Sequence, residues 1–394
     1  MSIAAKIHQL MSQSSWIREM SEEGDRLKTL HGAENIFDFS LGNPNLPPPP
    51  KFNQVLREIA DSCDLKDHCY MPQAGYPQVC RSIAEYLSNE QGVLVGEKEI
   101  FMTCGAAGAL NVILKALLDP GDEVIVPTPC FVEYRFYADN HGGKVKFIPT
   151  HADFSLNIDA MAAAITKKTK AVLINSPNNP TGQVYSRESL VALANLLSTK
   201  SQSLKRTLYL ICDEPYRKIV YENKKVPSIF KVYKNSIIVT SYSKDLSIPG
   251  ERIGFAAVNP EAAFKDDLIA AMSLTHRILG FVNAPALMQR VVGCLQGLTV
   301  DVAAYERKRD LICSGLSAAG YEFSRPSGAF YLFPRAPIKD DVQFASKLRH
   351  ERILVVPGSG FNGPGYFRIA FCVDDKTIIN AMPGFRRAMA SYSL

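Results

Sequence analysis

The chain predicts an α/β protein: a three-layer large domain, with helices covering both faces of a mostly parallel sheet, joined to a smaller α+β domain. Two observations carry this expectation. Short β-branched apolar runs alternate with helical patterns: EVIVP near residue 123, KVKFIP near 144, AVLINS near 171, LYLICDE near 208 and SIIVTS near 236. Such alternation favours parallel strands joined by crossover helices. Beyond about residue 286 the order changes to a long helical stretch, then GAFYLFP, RILVVPG and YFRIAFC before a final helix, which fits a separate α+β unit.

The proline run Pro47 to Pro50 reads as an extended connector. Residues 50–285 are therefore assigned to the large domain, and residues 1–49 with 286–394 to the small one, the N-terminal arm crossing back over the body. The 394 residues suffice for a sizeable core, and 46% hydrophobic with 21% charged residues is the composition of a soluble globular protein. Lys+Arg 44 against Asp+Glu 39 leaves a net charge of +5 spread without a basic run. That distribution argues against a nucleic-acid or membrane surface and stays compatible with a small anionic ligand. The nine cysteines form no CxxC pair and read as free thiols. The opening residues, interrupted by Lys6, His8, Gln9 and Gln13, lack the apolar core of a signal peptide, and no run of eighteen apolar residues occurs. The cytoplasm is the expected compartment, and no metal site is expected.

In an open parallel sheet, ligands bind beyond the carboxyl ends of the strands, so chemistry is expected in the residues just after each apolar run. FMTCGAAGALNVILKAL passes from a strand through Gly105, Ala106 and Ala107 into a helix; small residues there let backbone N–H groups approach an anion. After EVIVPTPC, Phe131 can lie against a flat ring. AVLINSPNNPTG ends in a turn where Asn178 or Asn179 offers an amide. LYLICDEPY puts Asp213 just past a buried strand, with Tyr216 three residues on; a carboxylate at that depth needs a cation beside it.

The most informative segment is SYSKDLSIPGERIG, Ser241 to Gly254. It sets Lys244, a candidate amine nucleophile for a carbonyl, eight residues before Arg252, which with Ser241 can hold a phosphoryl oxygen. Pyridoxal 5'-phosphate carries both an aldehyde and a phosphate.

Taken together, NNPTG, DEPY, SYSK with Arg252, and the later YFRIAF resemble the fold-type I pyridoxal-phosphate enzymes, specifically the class I/II aminotransferases of the aspartate aminotransferase superfamily, over nearly the whole chain. The resemblance implies that Lys244 carries the cofactor and that Asp213 partners its ring nitrogen. Tyr216 and Asn179 would bond its phenolic oxygen, Phe131 would stack on the ring, and Arg252, Ser241 and the backbone of Gly105, Ala106 and Ala107 would hold the phosphate. Arg368 in YFRIAF would bind the substrate's α-carboxylate, with Gly42 in the loop that closes over it. Tyr70, in YMPQAGY, would reach the phosphate of the neighbouring subunit, which implies a homodimer.

The implied reaction is a ping-pong transfer of an amino group between an L-amino acid and a 2-oxo acid. A C–S β-lyase on the same scaffold is the alternative. A regulator using this domain as a sensor would need a DNA-binding domain, and the N-terminal arm shows no helix-turn-helix pattern. No residue clearly matches the family's arginine for a distal carboxylate. His276 and Arg277 are the nearest candidates, both expected on a solvated helix surface.

Overall fold

The computed structural model describes residues 2–11, 16–62 and 64–392. Among them twelve strands run in chain order: β1 (Phe37–Asp38), β2 (Ile100–Thr103), β3 (Glu123–Thr128), β4 (Lys144–Pro149), β5 (Thr169–Asn175), β6 (Tyr209–Asp213), β7 (Ser236–Ser241), β8 (Gly254–Val258), β9 (Tyr331–Leu332), β10 (Ile353–Leu354), β11 (Val356–Pro357) and β12 (Phe367–Ala370). Seven form the main sheet, in the order β2-β8-β7-β6-β5-β3-β4. It is parallel except for β8, which runs antiparallel to both β2 and β7.

The five apolar runs read from the sequence are β3 to β7. Central β5 and β6 are buried along most of their length, because helices cover both faces, so their sequences are continuous apolar runs and not alternating ones. Edge strand β4 keeps lysines at positions 144 and 146, the charge that discourages pairing by a further strand. β8 adds a strand beyond these runs: its sequence, GFAAV, is small and weakly β-branched, so it carries little strand signal of its own. One apolar core fills each face of the sheet, with Ile100, Val172 and Leu210 in one and Val124, Ala171 and Ile237 in the other.

A third core, including Phe39, Tyr305, Phe330, Phe344, Phe367 and Phe385, lies under a three-stranded antiparallel sheet, β11-β12-β9, and the packed helices Val302–Ala318 and Asp375–Ala390. The N-terminal arm joins this part through β1, which pairs with β10 in parallel. The helix Ala286–Gly293, expected to open the small unit, packs with the large one. Its Met288, Val291 and Val292 share a core with Val79 and Ile83 of the helix Pro77–Gln91. We propose two units, 50–299 and 1–49 with 300–394. No helix among the described residues is long and apolar enough to cross a membrane, and the eight described cysteines are free, Cys63 lying outside the described residues.

Candidate active site

β5, β6 and β7 are parallel neighbours, so their carboxyl ends share one edge of the sheet. Each ends on a polar residue: Asn175, Asp213 and Ser241. These ends form the floor of a cavity of 270 Å³ whose walls include Gly42, Ala106, Ala107, Phe131, Asn179, Tyr216, Lys244, Arg252, Tyr331 and Arg368.

Lys244 sits on the one-turn helix Tyr242–Asp245, started by Ser241, whose hydroxyl accepts the Ser243 N–H at 3.1 Å. Its Nζ donates to the Gly42 carbonyl at 2.8 Å and lies 5.7 Å from the Phe330 ring centroid. Burial lowers its pKa to about 8, helped by the charges of Arg368 and Arg252 and opposed by Cys372. A lysine so placed is partly neutral near physiological pH and so can act as nucleophile or base.

Asp213 is buried at the end of β6. Burial raises its carboxyl to about 7; the hydroxyl of Tyr134, donating to Oδ2 at 2.6 Å, works the other way, and the charge of Glu214 adds to the rise. Its other oxygen, Oδ1, is buried with no hydrogen-bond partner. A buried acceptor left open at the wall of a cavity fits a ligand donor, and a protonated ring nitrogen meets that need. The Asp213 carbonyl accepts from Asn175 Nδ2 at 2.8 Å, and Asn175 Oδ1 accepts the Asn179 N–H at 2.7 Å, so the NNPTG turn is pinned to the floor. Asn178 is used up inside that turn, bonding Thr181. Asn179 is the one that faces the cavity.

At one end of the cavity, the helix Gly105–Leu117 begins without a side-chain cap, and its first-turn amides have no partners within the helix. Gly105 adopts φ +74°, and a Cβ there would lie 2.9 Å from Arg252 Nη2, so glycine lets the guanidinium close on the helix start. Arg252 Nη1 donates to the Pro249 carbonyl at 2.9 Å, and the hydroxyls of Ser241 and Ser243 are 2.6 Å apart.

At the other end of the cavity, Arg368 is only 2% exposed. It donates to Asn179 Oδ1 at 3.1 Å and to the Ser40 carbonyl, with Tyr331 and Phe361 ring centroids each 4.7 Å from its guanidinium carbon. Its Nε has no partner, a donor left open for an anion. Tyr331 shares a hydrogen bond of 2.9 Å with Tyr216. A Cβ at Gly42 would lie 2.0 Å from the Tyr331 hydroxyl, so only glycine lets this loop cross the ring.

All the expected site residues converge here except Tyr70, which is 90% exposed on this chain. Tyr134, Asn175 and Tyr331 were not singled out from the sequence. Tyr134 stands three residues after Phe131, the two rings edge to face at 5.6 Å, and a pair of aromatics at that spacing past a strand end was the available signal. His276 is a correction: it is 0% exposed, stacked on Phe281 and edge-on to Phe101, and lines no wall of the cavity. The inner face of its helix packs on Gly105–Leu117, where Thr275 Oγ1 donates to the Val112 carbonyl at 3.0 Å. Arg277, one residue round the helix, is exposed.

The likeness to known proteins extends over most of the chain. It belongs to the family described as aminotransferase class I and II, whose model matches residues 34–383. The protein is an aminotransferase, in a family that works with pyridoxal phosphate and takes amino and 2-oxo acids. Among its relatives, a probable aspartate aminotransferase of Methanocaldococcus jannaschii is 32% identical over 88% of this chain and 92% of that one. An aspartate/prephenate aminotransferase of Thermus thermophilus is 33% identical over 90% and 91%. A crystal structure of an amino transferase from Eubacterium rectale superposes with a TM-score of 0.97 at 39% identity, covering 100% of both chains.

Proposed function

We propose that the cavity holds pyridoxal 5'-phosphate and that Lys244 is the lysine that carries it. The observation that supports this best is the pairing of a half-buried amine, lowered to about 8, with the open Asp213 Oδ1 in the same cavity. Asp213 would meet the ring nitrogen, Tyr216 and Asn179 the phenolic oxygen, and Phe131 the ring face. Arg252, Ser241 and the amides of Gly105, Ala106 and Ala107 would take the phosphate. When bound, the cofactor acts as an electron sink that stabilises negative charge at the substrate's α-carbon.

The chain's own residues do the rest. Arg368 holds the α-carboxylate, its guanidinium fixed by Asn179, Ser40 and two aromatic rings, and so sets the direction of the α-hydrogen. Lys244, its amine neutral in part, removes the proton from the α-carbon. Gly42, under the Lys244 amine, belongs to the loop that covers the substrate and excludes water. Tyr134 steadies the Asp213 carboxylate by donating to it.

The amino donor in this reading is a dicarboxylic amino acid of the aspartate kind, supported by the names of the relatives. A Thermus thermophilus aspartate aminotransferase, 29% identical with a TM-score of 0.86 over 98% of this chain, is solved with maleate, a dicarboxylate. The cations lining the cavity among the described residues are Lys244, Arg252 and Arg368, so a distal carboxylate would be met from a neighbouring subunit. The assembly we propose is a homodimer in which Tyr70 reaches the neighbour's phosphate, in the cytoplasm, where the free cysteines would stay reduced.

Mixing the protein with pyridoxal phosphate should give a visible absorption band that Lys244→Ala removes together with turnover. A variant keeping both would overturn the assignment. Incubation with single amino acids should build up pyridoxamine phosphate, most rapidly with aspartate or glutamate. Pyruvate and ammonia appearing in its place would favour the lyase chemistry, which the relatives' names do not.

A further inference from the structure

A second, smaller cavity of 30 Å³ adjoins the first across Pro215, which lines both. Its walls carry Glu90, Glu214, Arg217, Lys218, Asp245 and Gln296, none of which has a part in the chemistry above. The two cavities divide the same short segments residue by residue. Asp213 faces the first and Glu214 the second; Tyr216 faces the first, Arg217 and Lys218 the second; Lys244 faces the first and Asp245 the second.

The residues on the second side are clamped. Arg217 donates to Glu90 and Glu214, each at 3.0 Å, and to the Val226 carbonyl at 3.1 Å. Lys218 Nζ lies 3.2 Å from Asp245 Oδ2, the two side chains 15% and 11% exposed, and it donates to the Leu298 carbonyl at 3.2 Å. The Asp245 carbonyl accepts the Val300 N–H at 2.8 Å and the Thr299 hydroxyl at 3.1 Å. Lys218 follows the loop that ends β6, whereas Asp245 ends the helix after β7. Their ion pair therefore joins the segment that presents Asp213 and Tyr216 to the one that presents Lys244. For stability alone a buried ion pair is a poor choice, since an apolar pair of like shape often serves as well or better.

We propose that Lys218 and Asp245 are positioning residues, whose ion pair sets the placement of Lys244 relative to Asp213 and Tyr216 and so governs the rate of the reaction more than the affinity for substrate. The proposal rests on the reading of Lys244 given above. It is tested on the pyridoxal-phosphate-loaded enzyme with Lys218→Met, Asp245→Asn, the double variant, and Lys265→Met as a control. Lys265 forms an ion pair of 2.6 Å with Glu99 away from both cavities.

Each single variant should lower kcat about tenfold with KM changed less than about twofold, displacements of about an ångström being enough for such losses. The ligand-free protein should also capture pyridoxal phosphate about tenfold more slowly, followed by visible absorbance. The control should lower the melting temperature yet keep wild-type kcat. In the double variant, which leaves no unpaired charge, melting temperature should recover while kcat stays low; Lys218→Arg should restore most of kcat. Single variants with kcat within about twofold of wild type, or a double variant whose kcat returns with its stability, would show the pair to be structural only. If Lys218→Met does not fold, Asp245→Asn, nearly isosteric, reads the same effect. Failure of the site reading looks different: Lys244→Ala would then keep both colour and turnover.

Discussion

At the floor of the cavity Asn175, Asp213 and Ser241 each end a strand of one sheet and are paired there, Asn175 with Asp213, Asp213 with Val239 and Ser241 with Gly254. At the opposite end the partners of Arg368 are Asn179 and Ser40, the latter 328 residues away in sequence. The floor is thus part of a continuous core, where a side chain is fixed by the strand that carries it. The end around Arg368 is a junction: β12 and β9 of the smaller sheet, which carry Arg368 and Tyr331, meet the segments of Ser40 and Asn179, which are held to them by single contacts between distant parts of the chain. Changes at the floor should strike the chemistry and the cofactor; changes at the substrate end should strike the affinity for the amino acid.

The largest effect expected is at Lys244, where alanine removes both nucleophile and base and should cut turnover by at least about a thousandfold. Steady-state assays check this, and a loss confined to KM would erase the contrast between the two ends. Asp213→Asn should come next, with kcat lower by about a hundredfold or more, since a neutral amide cannot balance a ring cation.

Asp213→Asn also has a signature in the ligand-free protein. Folding raises this carboxyl from its ordinary 3.8 to about 7. A raised acid contributes stability that is complete below its unfolded value and lost as pH rises through its folded one. Melting temperature should therefore fall on this account between about pH 4 and pH 7, and the variant should show a shallower fall. It should not abolish the fall, because Glu214 and Asp245 are raised in the same direction by burial. An unchanged profile would mean that Asp213 is ionised in the fold.

For Arg368→Ala the expected change is in KM for amino acids, higher by about 10- to 100-fold, the worth of one or two charge-assisted hydrogen bonds. A drop in kcat with KM unmoved would place this residue with the floor. The smallest effect is expected for Tyr134→Phe, which removes only the hydroxyl bonded to Asp213 and should weaken pyridoxal phosphate binding by about tenfold in an absorbance titration. No change there would leave Asp213 steadied by its backbone contacts alone.

The same contrast explains what could be read from the sequence. The floor was legible because strand, turn and functional side chain are contiguous: LYLICD runs straight into Asp213, and SIIVTS into Ser241 and Lys244. Arg368 was legible only through the family resemblance of YFRIAF, and its ring partners Tyr331 and Phe361 not at all, since no local pattern says which distant aromatic will flank a guanidinium. Tyr331 sits in GAFYLFP, where it looks like one more strand residue. The expected solvated surface holds for Arg277 and fails for His276, because neighbours on a helix point about 100° apart; His276 enters the core between Phe101 and Phe281 while Arg277 stays in water. The Lys218–Asp245 pair was hidden for a related reason, its members lying on separate segments that meet only in the fold.

The most direct test is to find which lysine carries the cofactor. Borohydride reduction of the pyridoxal-phosphate-loaded protein, followed by proteolysis and mass spectrometry, should leave a phosphopyridoxyl group on the peptide containing Lys244. The same mass addition on another lysine, with Lys244 unmodified, would contradict the account.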